Sequence, residues 1–373
     1  MRMRDRDESH RVSTPLELLF DLCFVVAVST LASHLHDGLA AGHTRSALFA
    51  FAGYFMPVWW ASMAYTWYAT AFDNDDVPFR LLTLSQMAGV LVLSAALPSS
   101  PGESSTAFGF TFVAMRAPMV FLWLRAAKWD DSHRRFALRY AAGTVAAMCV
   151  WSLGLAFGVP ARFAVWSAAM VVELLTPMAA TRVAPGRVFH TGHIAERYGL
   201  FTLIVLGESI LAVSMGLRAL VSEGSISAAT VIVSASTLVV AFSVWWIYFD
   251  TLGRQALERH RRAAFVWGYG HALLYGSIAA VGSGAQLLLD ATGSHHSVMP
   301  FTIATALVFV SLAWLQFAAN VQTRSAVILF VAGTVQIAVG ILFRHSAIGT
   351  GIATAAVCTI VVLHEALSQQ GSM

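Results

Sequence analysis

Apolar residues fall in about twelve runs of roughly twenty residues, separated by short stretches that collect the Arg, Asp, Gly and Pro residues. The first six runs are Leu16–Leu35, Ala47–Tyr68, Phe79–Leu97, Thr106–Ala127, Phe136–Phe157 and Ala161–Ala180. The second six are Ile194–Leu217, Ile226–Asp250, Ala263–Leu289, Met299–Ala318, Ser325–Phe343 and Ala347–Leu367. A helix needs about 20 apolar residues to cross the ~30 Å hydrocarbon layer, and only helices or closed barrels satisfy their backbone groups there. The pattern therefore predicts an all-α, polytopic bundle of about twelve transmembrane spans. Residues 1–15 form a cytoplasmic tail, 16–180 a first six-helix half, 181–193 a cytoplasmic connector, 194–367 a second half and 368–373 a short tail.

Composition agrees with that reading. Hydrophobic residues make up 57% and charged residues 12% of the chain, about half the charged share of a soluble domain. Mean hydropathy is +0.68. The net charge of +3 is not a nucleic-acid signal, because the basic residues sit between spans. Their distribution sets an orientation instead. Eighteen Lys and Arg residues fall on the side of the N-terminus and only Arg45, Arg162, Arg218 and Arg344 on the other, with Arg116 left inside a span. By the positive-inside rule both termini are cytoplasmic, which requires an even number of spans. The charged start, MRMRDRDESHRVSTP, has no small-residue cleavage site, so the first apolar run is expected to stay as a helix.

Three short matches keep nearly constant spacing across the chain. Val58-Trp59-Trp60 matches Val244-Trp245-Trp246, Trp123-Leu124 matches Trp314-Leu315, and Ala142-Gly143-Thr144-Val145 matches Ala332-Gly333-Thr334-Val335, at offsets of 186, 191 and 190. Six spans per half is even, so the halves enter the membrane in the same direction. The expectation is a parallel six-plus-six repeat about an axis along the membrane normal, with a site where the halves meet.

Candidate chemistry centres on His190–Ser214, HTGHIAERYGLFTLIVLGESILAVS. Glu208 sits about 20 Å along the helix from Ile194, where an ionised carboxylate is costly unless it is paired, hydrated or protonated. A structural role, as a protonated acid bonded to a neighbouring helix, is the competing reading. His193, Glu196 and Arg197 lie at the cytoplasmic mouth, with Glu196-Arg197 readable as an interfacial charge pair or part of a gate. In the first span Asp21 precedes Ala27-Val28-Ser29 much as Glu208 precedes Ala212-Val213-Ser214. Glu17 lies one turn before Asp21 on the same face, and two acids that close do not both ionise easily. Glu17 aligns alternatively with Glu196, or serves as a helix-start acid. Arg116 requires a carboxylate partner inside the membrane, for which Glu173, Asp21 and Glu208 all qualify.

Other signals are weaker. His190, His193 and Glu196 do not converge as a zinc set on a regular helix, so no metal site is predicted. His271 and His364 do not supply paired haem ligands, and no cofactor is expected. Gln286, Gln316, Gln336, His271, His364 and Glu365 read as interhelical hydrogen-bonding groups. Trp59-Trp60, Trp67-Tyr68 and Trp245-Trp246-Ile247-Tyr248 read as interfacial belts or helix packing. Asp73-Asn74-Asp75-Asp76 reads as a solvated turn, with a bound cation as the alternative. Cys23, Cys149 and Cys358 read as small core residues without disulfide spacing. Phosphate-binding GxxxxGK, Gly-x-Ser-x-Gly and CxxC patterns are absent from the sequence.

Thr14-Pro15-Leu16-Glu17-Leu18-Leu19-Phe20-Asp21-Leu22-Cys23-Phe24-Val25, together with His193-Ile194-Ala195-Glu196-Arg197 and Leu206-Gly207-Glu208-Ser209, resembles the bacterial low temperature requirement A family. The likeness runs from about Ser13 to Leu367. It implies a polytopic bacterial membrane protein linked by name to growth in the cold, and it carries no assigned substrate or catalytic residue. Three functions stay open. One is a secondary transporter of a small or lipid-like solute that uses Asp21 and Glu208. The others are a membrane enzyme acting on lipid through Glu208 or His193, and a structural or sensory protein. The expected partners are the lipid bilayer and a small-molecule or lipid substrate, with no nucleic acid.

Overall fold

The computed structural model describes residues 12–99, 105–186, 188–222, 224, 227–251, 261–291, 297–319 and 323–370. All regular structure among them is helical. Twelve helices are long and apolar enough to cross a membrane. They are α1 (Pro15–Ala40), α2 (Thr44–Phe72), α3 (Val77–Ala95), α4 (Thr106–Trp129), α5 (Arg134–Gly154) and α6 (Ala161–Thr181), then α7 (Thr191–Ser222), α8 (Ala228–Thr251), α9 (Arg261–Asp290), α10 (Met299–Ala319), α11 (Thr323–Leu342) and α12 (Ala347–Gln370). Each predicted span coincides with one helix, and the ends differ by a few residues. Ile226, the predicted start of the eighth span, lies outside the described residues, as do Arg2, Arg4, Arg6, Arg11, Arg187, Arg254 and Arg259 of the orientation argument.

Local chemistry sets the helix starts. Thr14 Oγ1 accepts from the Glu17 amide at 3.2 Å, and the Glu17 carboxylate accepts from the Thr14 amide at 2.8 Å. This reciprocal capping box starts α1. Asp76 accepts from Phe79 N at 3.1 Å ahead of Pro78 in the first turn of α3, the position where a proline's missing N–H is harmless. Ser105 caps α4 through Phe108 N at 2.9 Å. Pro57, Pro118 and Pro177 lie inside α2, α4 and α6, where a bilayer helix tolerates them because neighbouring helices shield the interrupted turn.

The chain divides into two compact units. Unit 1 comprises Met1–His34 with His43–Arg197, and unit 2 comprises Leu35–Gly42 with Tyr198–Met373. Both α1 and α7 are thus shared between units. Within unit 1, α4 packs on α3, α5 and α2, and α6 packs on α5 and α2. Within unit 2, α10 packs on α9, α11 and α8, α12 packs on α11 and α8, and α8 also meets α9.

Polar side chains tie the unit 2 helices together. Gln316 on α10 donates to Thr251 on α8 at 2.9 Å, and Thr354 on α12 donates to Gln336 on α11 at 3.1 Å. His271 on α9 bonds Tyr248 on α8 at 3.0 Å. These are the interhelical bonds expected of buried polar groups in a membrane helix bundle.

The cysteine expectation changes, and the aromatic runs divide between the two readings given for them. Only Cys358 is buried; Cys23 is half-buried and Cys149 exposed. In a bilayer the surroundings are themselves apolar, so an apolar neighbourhood along the chain does not distinguish core from lipid-facing positions. The aromatic runs also part company. Trp59, Trp60, Trp67 and Tyr68 are buried packing residues, whereas Trp245 and Trp246 are exposed.

Candidate functional site

Three helices of unit 1 each contribute two polar side chains one turn apart. They are Glu17 and Asp21 on α1, Thr66 and Thr70 on α2, and His193 and Arg197 at the start of α7. An i,i+4 spacing stacks side chains on one face of a helix, so each pair faces its neighbours as a two-rung ladder. All six are buried.

The contacts form a chain. Thr70 Oγ1 lies 2.8 Å from His193 Nδ1, and His193 Nε2 lies 3.3 Å from Glu17 Oε2. Arg197 Nη1 is 3.7 Å from Glu17 Oε1, and its Nη2 donates to Asp21 Oδ1 at 2.6 Å and to Thr66 Oγ1 at 3.3 Å. The guanidinium lies 5.6 Å from the centre of the Tyr65 ring, within cation–π range. Glu17 therefore caps its own helix and joins the cluster at the same time.

Partner chemistry restricts the protons. An ionised carboxylate only accepts, so His193 Nε2 carries the hydrogen facing Glu17. In the neutral ring Nδ1 then accepts from the Thr70 hydroxyl, and in the protonated ring it donates to that oxygen. With both acids ionised and Arg197 charged, the group is neutral when His193 is protonated and carries one negative charge when it is not.

His190 and Glu196 frame this group. His190 Nδ1 accepts from the His193 amide at 3.0 Å at the start of α7, and Glu196 accepts from the Ser13 amide at 3.1 Å. Glu196 and Arg197, readable as a charge pair or as part of a gate, do not pair with each other. Adjacent residues on a helix point about 100° apart, and Arg197 turns to Asp21 and Glu17 instead. Glu17 and Glu196 bind the adjacent amides of Thr14 and Ser13.

Arg116 belongs to a second group, on α2, α4 and α6. Its partner is Glu173 rather than Asp21 or Glu208, through Nε to Oε1 at 3.0 Å and Nη2 to Oε2 at 2.8 Å. Trp60 Nε1 adds a bond to Glu173 Oε2 at 2.8 Å. The pair is 3% and 1% exposed, so its charges are desolvated and depend on this two-pronged geometry. Glu208 lies in unit 2, 5% exposed on α7. The next residue, Ser209, donates to the Ile278 carbonyl of α9 at 2.9 Å. No group of three or more His, Cys, Asp or Glu residues that could hold a metal occurs among the described residues.

The Asp73–Asp76 stretch is a built turn. Asp73 is buried and accepts from the Asp75 amide at 2.8 Å, Asp75 pairs with Arg80 at 2.6 Å, and Asp76 pairs with Arg125 of α4. The Arg125 guanidinium bonded to Asp76 holds that carboxyl below the ordinary Asp range, against the opposing effect of partial burial.

Thr66 and Thr70 did not stand out in the sequence, and Trp60 stood out only as a repeat and packing aromatic. A Thr pair at i,i+4 on a helix is common. Only its place beside acids on α1 and cations on α7 gives it meaning. Thr14-x-x-Glu17 was a readable capping signal.

Twelve membrane-crossing helices with charged side chains gathered in their interior define a multi-pass membrane protein. Its sequence matches the model of the bacterial low temperature requirement A protein (LtrA) family over residues 12–363, and the chain belongs to that family. It is also similar to the uncharacterized protein RA0937 of Rhizobium meliloti, with 28% identity over 304 residues covering 77% of this chain and 71% of the relative.

Proposed function

We propose that the protein is a secondary transporter of a small or lipid-like solute in the bacterial cell membrane, with both termini cytoplasmic. The Glu17–Asp21–His193–Arg197 group is its proton site. The observation that carries this reading is the burial of four ionisable groups from α1 and α7 in one chain of hydrogen bonds and ion pairs. Ionisable residues inside spans are expensive and mark ion and proton paths. The group changes by one unit of charge when His193 gains or loses a proton, and an unbalanced charge at this site raises the energy of that state. Loading and release of a proton thereby favour different arrangements of the same helices, which is what coupling requires.

Two further observations support the reading. Each packing pair noted in unit 1 recurs in unit 2 when the helix numbers are raised by six, from α3–α4 with α9–α10 through α2–α6 with α8–α12. That favours the six-plus-six repeat common among transporters. The lopsided Arg and Lys distribution favours cytoplasmic termini; surface activity from a reporter fused after Met373 would overturn that topology.

The family name suggests a role in growth at low temperature, which supplies an assay. In a host lacking its own copy, Glu17→Gln and His193→Gln should abolish cold growth while membrane levels stay normal. Normal rescue by both variants at normal level would retire the proton site.

A further inference from the structure

We propose that the membrane-facing groove between α4 and α5 seats one acyl chain of an anionic phospholipid, whose headgroup is held by Lys128, Arg134 and Arg135 at the α4–α5 turn. The groove is open along one side, with a volume of about 500 Å³. Its walls include Val113, Ala117 and Phe121 on α4 and Val145, Met148 and Cys149 on α5. Positions i, i+4 and i+8 on one helix and i, i+3 and i+4 on the other make a furrow about two turns long. Phe121, Val145 and Cys149 are exposed, so the furrow opens toward the bilayer.

Charge at one end selects the lipid. Lys128, Arg134 and Arg135 are exposed, and none is in an ion pair among the described residues. Nearby Asp130 is occupied by His133, through the backbone amide and the ring, each at 3.1 Å. Asp131 is the one other acid in the turn, so the cluster keeps a net positive charge. Trp129 is 58% exposed with the Lys128 ammonium 5.3 Å from its ring centre, the amphipathic combination found at headgroup level. The helix start at Arg134 adds the positive end of the α5 dipole.

Depth makes the two features one site. Phe121 and Val113 precede Trp129 by 8 and 16 residues, about 12 and 24 Å along the helix. Half of a ~30 Å hydrocarbon core plus a headgroup layer of roughly 5–7 Å puts a chain end about 20 Å from its headgroup. A lipid anchored at the basic turn therefore lays the far half of its chain in the groove. Juxtamembrane basic clusters attract anionic lipids strongly enough to discriminate headgroups.

Native mass spectrometry of the full chain, with dioleoyl phosphatidylglycerol or dioleoyl phosphatidylcholine added in detergent, tests the site. The wild type should retain the anionic lipid preferentially. Arg134→Gln/Arg135→Gln should cut that preference on the order of 10–30-fold. Cys149→Trp changes an exposed residue, which leaves folding intact, and should reduce retention by filling the furrow. Excess inorganic phosphate should leave the bound lipid in place. Equal retention of the two lipids, unchanged retention in Cys149→Trp, or displacement by phosphate alone would each overturn the proposal.

Discussion

Arg197 on α7 reaches Asp21 on α1 at 2.6 Å, 176 residues away in the chain, with both side chains at most 2% exposed. Removing one partner from a buried pair costs about 3–5 kcal/mol, because the other charge is left uncompensated, while removing both is often nearly neutral. Arg197→Met should therefore lower the melting temperature sharply in detergent. Asp21→Asn in the same chain should recover part of the loss, and Glu17 should limit how much. Additive losses in the double variant would show that the two residues act independently.

The Arg116–Glu173 pair answers to the same logic with a different readout. Glu173→Leu strands the guanidinium and takes the acceptor from Trp60, so it should cost about 3–5 kcal/mol. Arg116→Met/Glu173→Leu should restore most of that stability. Trp60→Phe removes one bond to a charged acceptor and should cost roughly 1.5–3 kcal/mol. Denaturation of the purified variants checks all three. Because this pair is separate from the proposed proton site in its contacts, the double variant should keep cold-growth rescue.

Much of this arrangement was legible before the structure. Hydropathy alone marks twelve spans, since every polar backbone group inside a membrane must be satisfied by a helix. Glu17, Asp21, His193 and Arg197 stood out because charge is rare in such helices. Their partners did not. Arg116 had three possible carboxylates at the level of sequence, and only the packing of α4 against α2 and α6 selects Glu173. Glu196-Arg197 looked like a pair because the residues are adjacent, although a helix directs neighbours apart. Cys149 sits in an apolar run yet faces outward, because lipid and core are equally apolar.

The turn after α2 gives a pH dependence. Arg125 depresses the folded-state Asp76 carboxyl below its unfolded value. A depressed acid contributes stability above its unfolded value, and that contribution is lost as the pH falls through the folded value. Asp76→Asn keeps a good helix cap and removes only the charge. Wild type should melt above the variant near neutral pH, and the gap should close as the pH drops below about 4. A gap that persists in acid would mean that the cap, not the ion pair, sets the difference. The pair is partly exposed, so the effect should be small.

Glu208 separates transport from helix packing in unit 2. Gln preserves its shape and hydrogen bonding and removes the titratable proton. If the acid takes part in proton movement, Glu208→Gln should fail to support growth in the cold at a normal membrane level. Packing alone predicts the reverse: Gln suffices, and Glu208→Leu costs about 1 kcal/mol. Growth rescue measured beside membrane abundance distinguishes the two.

The most direct test of the proposed proton site is infrared difference spectroscopy of the reconstituted protein between about pH 5 and 8, where an unperturbed imidazole changes charge. The wild type should show an imidazole signal accompanied by a carboxylate signal, because a charge gained or lost on His193 perturbs the ionised Glu17 and Asp21 of the same group. His193→Gln should remove this group's share of both signals and leave that of the other histidines, and Glu17→Gln should alter the imidazole signal. A His193→Gln spectrum identical to wild type would contradict the account.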